Sequence, residues 1–160
     1  MHKIKIRPVQ NSDVDLLYNW VNESTVRQNS FCSEPISYSD HMRWFNQCLI
    51  DKTIEIYICE VDGLPIGQIR ICYQEDKVIL DYSVDHRYRG KGMGSEMISR
   101  IEMIIRNTHP DIHWLIGKVK SINLASRRVF EKNSFSLIST TNDIYVYQKN
   151  LIDNYDSHTC

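Results

Sequence analysis

The stretch Arg89-Gly90-Lys91-Gly92-Met93-Gly94 lies between an apolar, strand-like run and a long helical pattern, and it decides the fold. Glycines in such a turn let the backbone approach a ligand closely. The first turn of the following helix presents N–H groups without intrahelical acceptors and carries a partial positive charge. The stretch therefore predicts a site for phosphate oxygens.

Two common phosphate-binding loops do not fit this stretch. A Walker-type loop needs Gly-x-x-x-x-Gly-Lys-Ser/Thr, which the chain lacks. The dinucleotide fingerprint Gly-x-Gly-x-x-Gly fails because Ser95 stands where the third glycine belongs. A turn that only reverses the chain is the remaining alternative, and the preceding strand, Arg89 and the following helix disfavour it.

Length and composition fit one soluble domain. The 160 residues are 42% hydrophobic and 24% charged, which is ordinary for a globular protein. The net charge of -1 gives no electrostatic reason to expect nucleic-acid binding. No apolar run is long enough for a bilayer and no signal peptide is recognisable, so a cytoplasmic protein without a membrane partner is expected.

The cysteines and histidines predict no metal site. The five cysteines are widely spaced and form no Cys-x-x-Cys pair, so neither a disulfide framework nor a zinc site is expected. His109 and His113 have an i,i+4 spacing, but Pro110 between them ends the helix. The two imidazoles therefore do not share a helical face.

Apolar periodicity and turn signals predict the order of helices and strands. Asp62-Gly63 and Asn142-Asp143 separate alternating runs as hairpin turns do, and the stretch 22–36 is polar and irregular. The predicted strands are 3–7, 53–60, 64–73, 78–84, 112–119, 135–139 and 144–148, and the predicted helices are 12–21, 39–49, 94–108 and 123–132. They predict one α+β domain over 1–150, with a mixed sheet of about seven strands and about four helices, and a flexible tail over 151–160.

Two blocks of sequence resemble motifs of the GNAT superfamily, the acyl-CoA-dependent N-acetyltransferases. The family signature Gln/Arg-x-x-Gly-x-Gly/Ala, between the fourth strand and the third helix, is matched by Arg89-x-x-Gly92-x-Gly94. Members often show Asn-x-x-Ser-x-x-x-Tyr/Phe-Glu-Lys-x-Gly-Phe later, and the stretch from Asn123 to Phe135 is similar. The order of elements agrees with the family over the whole domain.

The resemblance implies where acetyl-CoA, the co-substrate, binds. Its pyrophosphate is expected on the backbone N–H groups of the glycine loop, which are those of Arg89, Gly90, Lys91, Gly92, Met93, Gly94 and Ser95. The Arg89 and Lys91 side chains either add charge to this site or are solvated. The pantetheine arm is expected in a cleft where strands four and five splay apart, paired with the backbone near Ser83 and Val84.

A backbone N–H near Ser83 or Val84 is also the implied donor to the thioester oxyanion. Asn123 and Ser126 are expected to contact the arm of acetyl-CoA. Asn123 is also well placed to cap its helix, and Ser126 could equally face solvent. These alternatives stay open at the level of sequence.

Direct attack by a neutral amine needs a proton acceptor, and the leaving thiolate benefits from a proton donor. In many relatives a tyrosine of the fourth helix is that donor, but the matching residue is Phe130. Tyr145, Tyr147 or water are the alternatives.

The candidate base is Asp81, which interrupts an apolar strand and faces away from Leu80 and Tyr82. A carboxylate in a mostly buried strand is expected to have a raised pKa, as a base near neutral pH requires. The alternative is an acid at an edge of the sheet or facing solvent. His41 and Glu34 are weaker candidates.

Acceptor choice in this superfamily depends mostly on the segment between the first two helices and on the last strands. The segment VRQNSFCSEPI over 26–36, with His-x-x-Trp-Phe over 41–45, resembles acetyltransferases of bacterial surface-sugar pathways, such as those for pseudaminic-acid-type sugars. This resemblance implies a nucleotide-linked amino sugar as acceptor. The candidate acceptor residues are Asn29, Ser30, Phe31, Glu34 and Arg70. The helical spacing of Trp44 and Phe45 with Leu49 predicts core packing instead.

Three functions are therefore open: acetylation of an amino sugar, acetylation of a protein N-terminus or lysine, and acyl-CoA sensing without chemistry. A small-molecule amine acceptor is favoured, without a metal. Both a monomer and a homodimer are compatible with the edge strands near the C-terminus.

Overall fold

The computed structural model describes residues 3–152. Seven strands form one sheet in the order β1-β2-β3-β4-β5-β7-β6. The strands are β1 (Lys5–Pro8), β2 (Ile54–Val61), β3 (Leu64–Gln74), β4 (Lys77–Val84), β5 (Trp114–Lys120), β6 (Ser136–Thr141) and β7 (Ile144–Asn150), and the helices are α1 (Val14–Val21), α2 (Ser24–Asn29), α3 (Tyr38–Ile50), α4 (Met93–Thr108) and α5 (Leu124–Lys132). Only β4 and β5 pair in parallel. The α+β fold with a mixed sheet is confirmed.

Apolar residues bury both faces of the sheet. On one face, α4 and α5 cover a core that includes Met97, Ile101 and Phe130. On the other face, α1 and α3 pack Trp20 and Phe45 against the first strands. Because α1 and α3 lie over β2, they do not cover the middle strands on this face. The segment 22–37, which joins the two helices, approaches those strands instead.

The expectation of an irregular stretch over 22–36 is wrong in part, because Ser24–Asn29 form α2. No residue of α2 is buried, so the helix has no apolar stripe for the sequence to reveal. Polar contacts stabilise it instead. The Glu23 side chain accepts the Val26 N–H at 3.3 Å, and Arg27 Nε donates to Val21 O at 2.6 Å.

The prediction that Trp44 is a core residue is also wrong. Phe45 is buried, but Trp44 is 36% and Leu49 41% exposed. The apolar stripe of α3 is therefore narrower than the sequence indicates, and it leaves an indole ring at the surface beside the middle strands.

The structure describes the first two residues of the predicted tail, Leu151 and Ile152. Leu151 is buried and donates its N–H to His113 O at 2.8 Å, so the chain is still packed at that residue. The remainder of the predicted tail, 153–160, lies outside the described residues. His109 follows α4 and His113 precedes β5, so the two histidines do not share a helix.

The sheet opens between β4 and β5. Their pairing runs from Lys77 with Trp114 to Leu80 with Gly117 and then stops, although both strands continue. At this point the ring of Phe130 packs directly on Gly117, where an added Cβ would lie 2.4 Å from Phe130 Cζ. Glycine at position 117 therefore lets α5 approach the point at which the strands separate.

Replacing Gly117 with alanine is expected to lower the free energy of unfolding by about 3 kcal/mol, the upper end of ordinary overpacking. Denaturant unfolding measures this loss. Phe130→Leu in the same chain should recover part of it, because the leucine removes the ring atoms that the methyl group meets. Strictly additive losses in the double variant would show that the contact is not the cause.

Candidate active site

The glycine loop forms a cradle of backbone at the end of β4. Gly90 and Gly92 have φ of 72° and 78°, which side-chain-bearing residues rarely adopt. Gly92 caps α4, and the first α-helical bond is the one from Glu96 N–H to Gly92 O at 3.1 Å. The N–H groups before Glu96 therefore have no intrahelical acceptor, and they suit the pyrophosphate of acetyl-CoA.

The cationic side chains of this loop bind protein groups. Arg89 Nε donates to Val84 O at 2.9 Å, and its Nη2 donates to Glu23 Oε2 at 2.8 Å. Lys91 Nζ donates to Arg87 O at 3.1 Å. The sequence suggests two roles for the Arg89 side chain, a phosphate ligand or a solvated group. Neither role includes its hydrogen bond to Glu23, the residue that caps α2.

Where the sheet opens, successive residues of β4 point their N–H and C=O groups alternately towards β3 and towards the gap. The register pairs Ser83 with Gln68, and the Asp85 N–H donates to Ile66 O at 2.8 Å. Because hydrogen-bonded pairs alternate along an antiparallel ladder, Ser83 turns its N–H and C=O towards β3. Val84 and Tyr82 turn theirs towards the gap. The expectation that Ser83 offers a backbone donor to the ligand is thus corrected, and Val84 keeps that geometry.

The Tyr82 side chain lies on the α4–α5 side of this gap. An added methyl group on Gly94 would be 3.2 Å from Tyr82 Cε2, and the Tyr82 ring meets the Phe130 ring edge-on at 6.0 Å. Surrounding protein raises the pKa of Tyr82 to about 12, while an interaction with the Ser126 side chain lowers it. Tyr82 is therefore a protonated phenol at neutral pH. The alternation of β4 places this residue on the face opposite Asp81, but no motif in the sequence singles it out as a candidate proton donor.

The other tyrosines considered as proton donors are occupied elsewhere. Tyr147 is buried, stacks on Phe130, and donates its hydroxyl to Glu131 Oε1 at 2.8 Å. The Tyr145 ring packs under the Arg127 guanidinium at 4.2 Å. Both tyrosine side chains are therefore engaged with residues of α5.

The first turn of α5 borders the gap. Asn123 Oδ1 accepts the Ser126 N–H at 3.1 Å, so Asn123 caps α5, which is one of the two roles that the sequence suggests. Ser126 is buried and its side chain contacts Tyr82. It does not face solvent.

Asp81 lies on the opposite face of β4, towards α3. Its side chain is 58% exposed, as in the solvent-facing alternative, and its Oδ2 lies 3.2 Å from Arg70 Nη2. Loss of hydration to the surrounding protein nevertheless raises its pKa, against the opposing effects of Arg70 and Arg27. Asp81 is thus an accessible carboxylate whose pKa lies above its ordinary value.

Arg70 connects Asp81 to the exposed indole of α3, since its Cζ lies 5.7 Å from the Trp44 ring centroid. A carboxylate, a guanidinium and an aromatic face are therefore neighbours on this side of the gap.

The remaining candidate acceptor residues lie on α2 and the loop after it. Arg27 organises that loop: its Nη1 donates to Cys32 O and Glu34 O, at 3.0 and 3.3 Å, and its Nη2 donates to Ser30 Oγ at 3.0 Å. Phe31 is 59% exposed, Asn29 ends α2, and the Glu34 side chain is exposed.

His41, a weaker candidate for the base, is a packing residue. It is buried between α1 and α3, and its Nε2 lies 2.9 Å from Val14 O.

Metal and membrane features are absent from the part of the chain that the structure describes. Among residues 3–152, no cluster of three or more His, Cys, Asp or Glu side chains could hold a metal ion. Within the same residues, no helix has the length and apolarity needed to cross a bilayer.

Comparison with known proteins agrees with this geometry. A family model described as acetyltransferase (GNAT) domain matches residues 3–136. No curated protein is similar enough in sequence to be matched.

Solved structures match the fold over nearly the whole chain. A domain from Methanocaldococcus jannaschii DSM 2661 has a TM-score of 0.84 at 18% identity, covering 94% of this chain and 100% of its own. Spermidine N-acetyltransferase from Vibrio cholerae, in complex with CoA and spermine, has a TM-score of 0.81 at 17% identity, covering 92% and 95%. Aminoglycoside acetyltransferase AAC(6')-Ib, in complex with coenzyme A, has a TM-score of 0.80 at 17% identity, covering 93% and 95%.

Proposed function

The chain belongs to the GNAT family of acetyl-CoA-dependent N-acetyltransferases, and we propose that its acceptor is a nucleotide-linked amino sugar. The neighbouring side chains of Asp81, Arg70 and Trp44 carry this proposal. A guanidinium suits the diphosphate of such a molecule, and an exposed indole suits the face of a sugar ring or base. The carboxylate lies beside them to receive the amine.

The charges of this face disfavour polycationic acceptors. Arg70 lies 3.2 Å from Asp81, and Arg27 is near enough to lower the pKa of the same carboxyl. A polyamine or an aminoglycoside would bring several positive charges towards two guanidinium groups. The negative charges of a nucleotide would instead be attracted by these guanidinium groups.

The donor is proposed to bind across the gap. The N–H groups at the start of α4 hold the pyrophosphate, and the thioester lies between β4 and β5, where the Val84 N–H faces the opening. A preorganised N–H at that place stabilises the oxyanion that develops during attack. Gly94 supports this route for the pantetheine arm. A larger side chain at position 94 would enter the space between Tyr82 and Val129, which the arm would pass.

The two proton transfers are assigned to opposite faces of β4. The amine attacks the carbonyl carbon from the Asp81 side, and Asp81 accepts its proton directly or through one water. The C–S bond then breaks on the Tyr82 side, and the Tyr82 hydroxyl protonates the leaving thiolate. Water returns the proton from Asp81 to Tyr82, so the reaction yields an amide and free CoA without net proton change.

The proposal is tested by CoA release with an acceptor panel. Nucleoside-diphosphate sugars that carry one free amine should be acetylated, whereas spermidine, kanamycin and N-terminal peptides should not. Assays of the same amino sugars without the nucleotide show whether the enzyme recognises the sugar, the nucleotide or both. Arg70→Met should raise KM for the nucleotide-linked sugar about tenfold or more and leave KM for the free sugar unchanged.

The alternatives predict different outcomes. Turnover of peptides alone would identify a protein N-acetyltransferase. Tight acetyl-CoA binding without turnover of any amine would identify a sensor.

A further inference from the structure

The short helix α2 spans the opening between β4 and β5. At its N-terminal end, the Glu23 carboxylate accepts from Arg89, the residue that begins the glycine loop after β4. At its C-terminal end, Gln28 O accepts from Lys120 Nζ at 2.9 Å, and Lys120 is the last residue of β5. One helix is therefore linked to the loop after β4 and to the last residue of β5, beyond the point at which the two strands stop pairing.

Arg89 connects three parts of the site. Its Nη2 reaches Glu23 on the acceptor segment, and its Nε reaches the carbonyl of Val84, whose backbone faces the gap. Its own backbone belongs to the glycine loop. A guanidinium can make both bonds at once because its donors are held in a rigid planar fork.

The Arg89–Glu23 pair is also partly shielded from water. The two side chains are 34% and 27% exposed, and the hydrogen bond from Arg89 is the main cause that lowers the pKa of Glu23. Glu23 in turn caps α2 by accepting the Val26 N–H. A change at Arg89 is therefore transmitted to the first turn of the helix.

We propose that Arg89 is a positioning residue that couples donor binding to the order of the acceptor segment 24–36. A donor held on the loop and paired with Val84 fixes Arg89 from two sides, and Arg89 then fixes Glu23 and α2. By linkage, an ordered acceptor segment strengthens donor binding by the same factor. The inference rests on the donor site proposed above, and it assigns the Arg89 side chain to α2 and not to a phosphate.

Hydrogen exchange with CoA as the probe tests the coupling without knowledge of the acceptor. In the unaltered protein, CoA should slow amide exchange over 24–36 about fivefold or more, the lower range of ordinary coupling. Glu23→Gln and Arg89→Lys should abolish this slowing. Arg89→Lys is the decisive variant because lysine keeps the positive charge but lacks the planar fork whose separate nitrogens bind Glu23 and Val84.

Arg100→Gln is the matched control. Arg100 pairs with Glu96 at 2.8 Å with side chains 32% and 33% exposed, and the pair links two turns of α4 only. This variant should retain the CoA-dependent slowing over 24–36. The melting temperature of each variant shows whether it is still folded, so that a missing effect of CoA on amide exchange is not mistaken for unfolding.

Calorimetric titration of CoA separates the outcomes. Arg89→Lys supports coupling if it still binds CoA, with an affinity lowered by no more than about tenfold, but shows no slowing over 24–36. Slowing retained in Arg89→Lys would overturn it, as would an exchange rate over 24–36 that does not respond to CoA in the unaltered protein. If the unaltered protein does not bind CoA, the donor site itself is wrong, which is a separate result.

Discussion

Replacing Tyr82 with phenylalanine is expected to lower kcat for acetyl transfer by about 10²–10⁴-fold, the usual contribution of a positioned acid. The hydroxyl is lost while the ring that packs on Phe130 and Gly94 is kept. KM for acetyl-CoA should therefore change little. Steady-state release of CoA measures both constants with the best acceptor of the panel.

The pH dependence of kcat identifies the reason for the loss. The surrounding protein holds the pKa of Tyr82 at about 12, so the phenol stays protonated through neutral and moderately alkaline pH. On the alkaline side, kcat of the unaltered protein should fall as this proton is lost, and that alkaline fall should be missing from Tyr82→Phe.

Tyr145→Phe provides the matched control because it removes a hydroxyl whose ring packs under Arg127. It should leave kcat and the pH profile unchanged. The assignment fails if Tyr82→Phe keeps full kcat, or if only KM for acetyl-CoA rises, since the latter marks a wall of the donor channel and not a proton donor.

The fold was predictable from local signals. The glycine loop, the helix after it and the two hairpin turns specify their conformations within a few residues of sequence. Asp62 and Gly63 both have positive φ, as the turn chemistry requires. The cap at Asn123 is equally local. Such features need no knowledge of how distant strands pack.

The acceptor side was harder because its elements depend on distant contacts. α2 has no apolar stripe and is fixed by Arg89 and Lys120, which lie far along the chain. Trp44 occupies a helical position typical of a core, yet it is 36% exposed and the sheet presents the Arg70 guanidinium to its ring. The sequence places Asp81 and Tyr82 on opposite faces but does not reveal that the sheet opens beside them.

Replacing Asp81 with asparagine is expected to lower kcat by about 10²–10⁴-fold, because the amide cannot accept the proton of the attacking amine. The carboxylate form of Asp81 is required, so kcat of the unaltered protein should fall as pH decreases through the pKa of Asp81. That pKa lies above its ordinary value of 3.8. At saturating acceptor this acidic fall should be absent from Asp81→Asn, whereas the fall in kcat/KM caused by protonation of the free amine remains.

Asp111→Asn is the control for Asp81, since Asp111 is an exposed turn residue before β5, and it should leave the profile unchanged. An acidic fall of kcat that persists in Asp81→Asn would remove Asp81 from the role of base. The double variant with Tyr82→Phe adds a further test, because groups that act in one transfer are not additive. If one face of β4 accepts the proton and the other donates it, the double variant should lose much less than the product of the two single losses. A loss in the double variant equal to the product of the two single losses would instead indicate that the two side chains act independently of each other in the rate-limiting step.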